Sequence, residues 1–76
     1  MKTTYYTLIS QLLAGTDFCY YKSFPGHEKY IAYTDMGRLE VAIKPTACFL
    51  DTANLLTAIK NHTVTVLYIT LTPLRA

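Results

Sequence analysis

The pair His27-Glu28 is the first place in the sequence where two residue types could do acid–base chemistry. A histidine held by a carboxylate can move a proton, provided that its ring points at a substrate in a pocket. Adjacent side chains diverge, however, and the pair directly follows Pro25-Gly26, the combination that suits a type II turn. The pattern therefore predicts that His27-Glu28 belongs to a turn, with a partner contact from a mobile loop as the alternative.

The other reactive residues also have structural interpretations. His62 follows a predicted helix, where an imidazolium suits the helix dipole. Cys19 and Cys48 are far apart and lack metal-ligand spacing, so we expect buried free thiols, with a disulfide as the alternative. We expect no catalytic set, no cofactor and no metal site. An enzyme would need a site assembled from His27, His62 and the cysteines.

The composition limits the classes of partner. The chain has 76 residues, which fits one domain spanning 1–76. Only 16% of the residues are charged and the net charge is +2, with the basic residues dispersed, so neither a nucleic acid nor an anionic membrane is the first expectation. The start, MKTTYYTLISQLLAGTDFC, resembles an export signal, but polar residues interrupt its apolar stretch. We therefore expect a mature helix there, no membrane span and a cytoplasmic protein.

Periodicity and turn residues predict six elements in the order α-β-β-β-α-β. The helices are predicted at Thr4–Ala14, capped by Thr3 or Thr4, and at Thr52–Lys60, capped by Asp51. The strands are predicted at Asp17–Phe24, Lys29–Thr34, Arg38–Lys44 and Thr63–Thr72, while Ala47–Leu50 is ambiguous. The predicted fold class is α+β, a small and mainly antiparallel sheet of about four strands with two helices on one face.

The central hairpin determines which side chains share a face. A three-residue loop, Asp35-Met36-Gly37, predicts that the strands close on Thr34 and Arg38. This register pairs Tyr33 with Leu39 and Ile31 with Val41, and these four residues are expected to build the buried face. The reverse face is then expected to carry Tyr30, Ala32, Thr34, Arg38, Glu40 and Ala42.

Seven tyrosines are the least usual feature of the composition. They can form a core with a half-buried outer face, a tyrosine-lined protein interface, or a platform on which bases stack beside Lys and Arg. The favoured function is a non-enzymatic protein-binding module, and the alternative is a small nucleic-acid-binding protein. The candidate partner-binding residues are Tyr20, Tyr21, Lys22, Lys29, Tyr30, Arg38, Glu40 and Lys44.

The last predicted strand suggests self-association. Val64, Val66 and Tyr68 alternate with Leu67, Ile69 and Leu71, so both of its sides are apolar. Two short helices can cover only one face of the sheet. We therefore expect a homodimer formed through exposed faces or strand edges, as an alternative to a monomer that keeps this surface for its target.

In size, element order and lack of a catalytic set, the chain resembles the small phage and mobile-element proteins that inhibit host defence, such as anti-CRISPR proteins. The resemblance lies in the overall character of the chain and transfers no binding residue. It implies an inhibitor that acts by occupying a protein surface on a host defence complex.

Overall fold

The computed structural model describes residues 4–46 and 50–73. Its elements are α1 (Tyr5–Leu13), β1 (Tyr20–Phe24), β2 (His27–Thr34), β3 (Gly37–Ile43), α2 (Thr52–Lys60) and β4 (Val66–Thr72). The four strands form one antiparallel sheet in the order β1-β2-β3-β4. Both helices contribute to a single core on one face of this sheet. The predicted α+β fold and element order are confirmed, while most of the ambiguous segment (47–49) lies outside the described residues.

Both helices begin at a side-chain cap and bury residues one turn apart. The Thr7 N–H donates to Thr4 Oγ1 at 3.1 Å before α1, and the Asn54 N–H donates to Asp51 Oδ1 at 2.8 Å before α2. These bonds satisfy donors that a helix start otherwise leaves unpaired. The apolar pairs are Ile9 with Leu13 in α1 and Leu55 with Ile59 in α2, and all four are buried in the core. The predicted bounds of α2 are confirmed.

Two strands start later than predicted because other bonds engage the residues before them. The Phe18 N–H donates to Thr52 Oγ1 at 2.9 Å, which ties this segment to α2 before β1 begins at Tyr20. The Thr63 N–H donates to Ala58 O at 2.9 Å, so Thr63 closes α2 and does not start β4. Local patterning cannot reveal the Phe18–Thr52 bond, whose partners are far apart in the sequence.

His62 ends α2 in a conformation that normally belongs to glycine. Its φ is 61°, and its N–H donates to Ile59 O at 3.2 Å while the Thr63 N–H reaches back to Ala58 O. This pair of bonds is the Schellman arrangement, whose left-handed position favours glycine because a Cβ is strained there. The structure therefore gives His62 a backbone role at the helix end.

We predict that His62→Gly stabilises the protein by about 1 kcal/mol, because it relieves the left-handed strain while keeping both backbone bonds. Urea denaturation followed by circular dichroism measures the change in free energy of unfolding. Asn61→Gly is the matched control, since Asn61 has an ordinary φ of −90° and gains nothing from glycine. Equal stability of wild type and His62→Gly would contradict the strain.

The β2–β3 hairpin closes one residue earlier than predicted. Thr34 pairs with Gly37, so that the loop contains only Asp35 and Met36. Thr34 Oγ1 donates to Gly37 O at 2.9 Å and accepts from the Met36 N–H at 3.1 Å, which fixes this tight turn. The predicted three-residue loop is therefore wrong.

The corrected register exchanges the two faces of β2 relative to those of β3. Tyr33 pairs with Arg38, and Tyr30 pairs with Val41. Because side chains alternate along a strand, a shift of one residue in the pairing brings a different set together. Tyr30 is 1% exposed in the core, whereas Tyr33 is 61% exposed on the other face. The prediction that Tyr33 and Ile31 share the buried face of Leu39 and Val41 is wrong.

We predict that Gly37→Ala destabilises the protein by at least about 2 kcal/mol, because its Cβ would overlap a neighbouring strand end. With φ at 140°, that Cβ would meet the backbone oxygen of Thr72 and lie 2.9 Å from Pro73 Cα. Gly26→Ala is the matched control: its φ is 88°, but nothing lies within 4 Å of the added atom. Equal losses in the free energy of unfolding of both variants would contradict the close approach of Gly37 to Thr72.

Candidate binding face on the open side of the sheet

Within the described residues, neither helix packs on the second face of the sheet, here called the open face. Pairing and alternation place on it Tyr20, Lys22, Phe24, His27, Lys29, Ile31, Tyr33, Arg38, Glu40, Ala42, Tyr68, Thr70 and Thr72. Tyr20 is 50% exposed, Tyr33 61% and Tyr68 42%. Three large aromatic side chains therefore reach solvent from one rigid surface.

The structure brings together five of the eight predicted partner-binding residues. Tyr20, Lys22, Lys29, Arg38 and Glu40 all lie on the open face. Lys44 is exposed just beyond the end of β3.

Tyr21 and Tyr30 lie instead on the covered face. Tyr30 accepts a hydrogen bond from the Leu50 N–H at 3.2 Å and meets Phe18 edge-on, with the ring centroids 5.9 Å apart. Tyr21 is half-buried beside it, at a centroid distance of 5.0 Å. The positions of Tyr21 and Tyr30 both follow from the corrected register, and their rings contribute apolar area to the core.

Phe24, His27, Tyr33 and Tyr68 belong to the open face although they are absent from the predicted set. The predicted three-residue loop places Tyr33 in the core. The observed two-residue loop, which pairs Thr34 with Gly37, places Tyr33 on the exposed side. For Phe24 the available signal was its alternation with Lys22 and Tyr20 along one strand. Tyr68 reaches this face through its pairing with Ala42.

Cations surround the ring of Phe24. Lys22 Nζ lies 5.1 Å from its centroid and Lys29 Nζ lies 5.3 Å from it. The His27 ring stacks on Phe24 at 4.8 Å with an interplanar angle of 13°. Cations at such distances are attracted by the ring quadrupole. The corner formed by β1 and β2 therefore combines positive charge with a flat aromatic surface.

One carboxylate organises the centre of the open face. Glu40 Oε1 lies 3.3 Å from Lys29 Nζ, and Glu40 Oε2 lies 3.7 Å from a guanidinium nitrogen of Arg38. The hydrogen bond to Glu40 raises the pKa of Lys29, against the opposing effect of burial, and Tyr68 adds a smaller contribution. Since Lys22, Lys29 and Arg38 outnumber this single carboxylate, the open face carries net positive charge.

A shallow depression of about 330 Å³ crosses the β1–β3 part of the open face. It is lined by Tyr20, Lys22, Phe24, Lys29, Ile31, Tyr33 and Arg38. Ile31, only 4% exposed, gives it an apolar floor, and the aromatic and cationic side chains form its rim. Because its accessible lining is mainly polar and includes three cations, the depression can receive an acidic side chain from a partner.

His27 and Glu28 point to opposite faces and do not form a pair. The predicted turn at Pro25-Gly26 is confirmed, but the prediction that His27-Glu28 belongs to it is wrong, because His27 opens β2 opposite Phe24. Glu28 is 5% exposed on the covered face, where Thr46 Oγ1 donates to Glu28 Oε1 at 3.1 Å. Burial raises the pKa of Tyr21, and a hydrogen bond with Glu28 raises it further.

The remaining candidates for chemistry are dispersed. Cys19 is an exposed free thiol whose Sγ lies 3.6 Å from Ile31 O, which corrects the prediction that it is buried. Cys48 lies outside the described residues. Across residues 4–46 and 50–73, no three His, Cys, Asp or Glu side chains come together in a way that could hold a metal ion. In the same ranges, neither helix has the length and apolar character needed to cross a membrane.

Comparison with protein-family models, with curated proteins and with solved structures finds no match to this chain.

We predict that Glu40→Gln lowers the pKa of Lys29 toward its ordinary value, because the hydrogen-bonded carboxylate is lost. Since this pKa is raised in the folded protein, the associated stability is complete below the unfolded pKa. It is lost as the pH rises through the folded pKa. An NMR titration of the Lys29 side chain measures the shift directly.

Glu28→Gln is the crossed control, because Glu28 acts on Tyr21 from the covered face. It should lower the pKa of Tyr21 and leave that of Lys29 unchanged, while Glu40→Gln does the reverse. If both variants shift both groups, the two faces are not electrostatically separate.

Proposed function

We propose that this protein is a non-enzymatic protein-binding module that acts in the cytoplasm by covering a partner's surface with its open face. The observation that carries the proposal is the concentration of exposed tyrosines, Lys22, Lys29 and Arg38 on one side of the sheet. In keeping with the phage and mobile-element inhibitors that the chain resembles, a host defence complex is the proposed target.

Aromatic and guanidinium groups suit such a role. Tyr and Arg are enriched among the residues that dominate binding free energy in protein interfaces. Tyr20, Tyr33 and Tyr68 project from strands whose opposite side is a packed core, so their backbone is already ordered before binding. Little conformational entropy is then lost on association.

The charge of the open face specifies the complementary surface. Glu40 is the single carboxylate among the open-face residues and is already held by Lys29 and Arg38, while Lys22 lies near Phe24. A partner that offers acidic groups would match the cationic rim of the depression. Such complementarity speeds association and excludes partners of the wrong charge.

Single-stranded nucleic acid is the second candidate. The observation that favours it is the Phe24 ring flanked by Lys22, Lys29 and the stacked His27. Bases stack on aromatic rings in single-strand-binding proteins, and adjacent cations contact the phosphates. Affinity for such a ligand would fall steeply with salt in proportion to the phosphates contacted.

We predict that replacing Tyr20 and Tyr33 together by Ser weakens partner binding by about 30-fold or more, since losing a hot spot costs about 2 kcal/mol. The wild-type chain captures its partner from a host lysate treated with nuclease. Affinities of the variants for the purified partner are then measured at several salt concentrations.

Tyr5→Ser is the matched control, because Tyr5 is 48% exposed but lies on α1, on the helix side of the molecule. It should bind like the wild type. Equal loss in both variants, or none in the double variant, would place the interface elsewhere. Capture that disappears with nuclease, together with steep salt dependence, would favour the nucleic-acid alternative.

A further inference from the structure

Within residues 4–46 and 50–73, no further strand pairs with the outer side of β4, which is an edge of the sheet. It pairs with β3 on one side and is last in the strand order. Its sequence from Val66 to Thr72 contains no charged residue, no glycine and no proline. Proteins usually block exposed edges with charge, proline or a very short strand, because free backbone groups there recruit further strands.

The opposite edge shows the usual protection. β1 has only five residues and carries Lys22 at its centre. The two edges of one sheet therefore differ in the features that prevent strand pairing. This contrast points to β4 as the edge that accepts another strand.

Backbone direction turns some of the N–H and C=O groups of β4 away from β3. The Lys44 N–H donates to Thr65 O at 2.9 Å, so Lys44 faces β4. Because backbone direction alternates along β3, the N–H and C=O groups of Arg38 and Glu40 also point toward β4. Those of their partners, Thr72 and Thr70, point back toward β3. The intervening residues Ile69 and Leu71 thus direct their N–H and C=O groups away from the sheet.

The helix layer also stops short of β4. Leu39 and Val41 on β3 are 0% exposed, whereas their partners Leu71 and Ile69 are only half-buried. Leu67, beside the register shift in this pair of strands, is 41% exposed. A further strand paired with this edge would remove apolar surface from water.

We propose that β4 pairs antiparallel with β4 of a second copy about a two-fold axis, so that four strands from each chain form one continuous sheet. A second copy fits because the pairing is self-complementary and brings no like charges together within Val66–Thr72. The half-buried Ile69 and Leu71 of each copy would be covered by their counterparts. The two open faces would join across Tyr68, which gives the dimer a bivalent binding surface.

Sedimentation equilibrium of Leu67→Lys tests the pairing, since a lysine is the usual guard of a strand edge. At micromolar concentration the wild type should have twice the 8.6 kDa mass of one chain, and Leu67→Lys should have the mass of one chain. Met36→Lys is the matched control: Met36 is 57% exposed at the hairpin tip, and its variant should remain dimeric. Circular dichroism checks that both variants are folded.

A wild type that stays at 8.6 kDa up to its solubility limit would overturn the proposal, and so would a Leu67→Lys variant that stays dimeric. Should Leu67→Lys not fold, amide hydrogen exchange of the wild type decides. On dilution to the monomer, Ile69 and Leu71 amides should lose protection, and unchanged protection would overturn the proposal. The monomeric variant keeps its own open face and still binds a partner, so failure of the dimer leaves the proposed function standing.

Discussion

The tight turn at Asp35-Met36 is the constraint on which the rest of the structure depends. By pairing Thr34 with Gly37, it sets the register of the two central strands. That register sends Tyr30 into the core and Tyr33 into solvent. The turn is held by two hydrogen bonds to the Thr34 side chain. Because alternation is strict, one slipped residue would exchange the two faces of β2 relative to β3, so that Tyr30 and Tyr33 would change places.

The two faces serve different purposes through the same kinds of residue. On the covered face, Tyr30 fills the core with its ring while its hydroxyl satisfies the Leu50 N–H, and Glu28 is held by Thr46. On the open face, Glu40 is held by Lys29 and Arg38, and the aromatic rings remain uncovered. Tyr and Glu thus contribute packing and satisfied hydrogen bonds on one side and, in the proposed function, recognition on the other. A charged residue added to the covered face would cost stability, whereas the open face tolerates charge because solvent reaches it.

Much of the fold could be predicted because local signals were strong and mutually consistent. Asp51, followed by apolar residues at helical spacing, defined α2, and Pro25-Gly26 marked the first hairpin turn. The register could not be predicted because Gly37 fits either a loop or a strand, and tyrosine suits either face. The bonds of the Thr34 side chain that hold the tight turn, and the close approach of Gly37 to Thr72, appear only in the folded structure. The cations of the candidate site, Lys22, Lys29 and Arg38, could be predicted from the sequence. Tyr33 could not, because its face depends on the register of the hairpin.

Solvent accessibility of the individual tyrosines tests most directly which of them lie on the covered face and which on the open face. A soluble paramagnetic agent added to the protein broadens the NMR signals of exposed rings and spares buried ones. The structure predicts strong broadening of Tyr33 and Tyr20 and protection of Tyr30, which are 61%, 50% and 1% exposed. Protection of Tyr33 together with broadening of Tyr30 would show the slipped register and would contradict both the core and the proposed binding face.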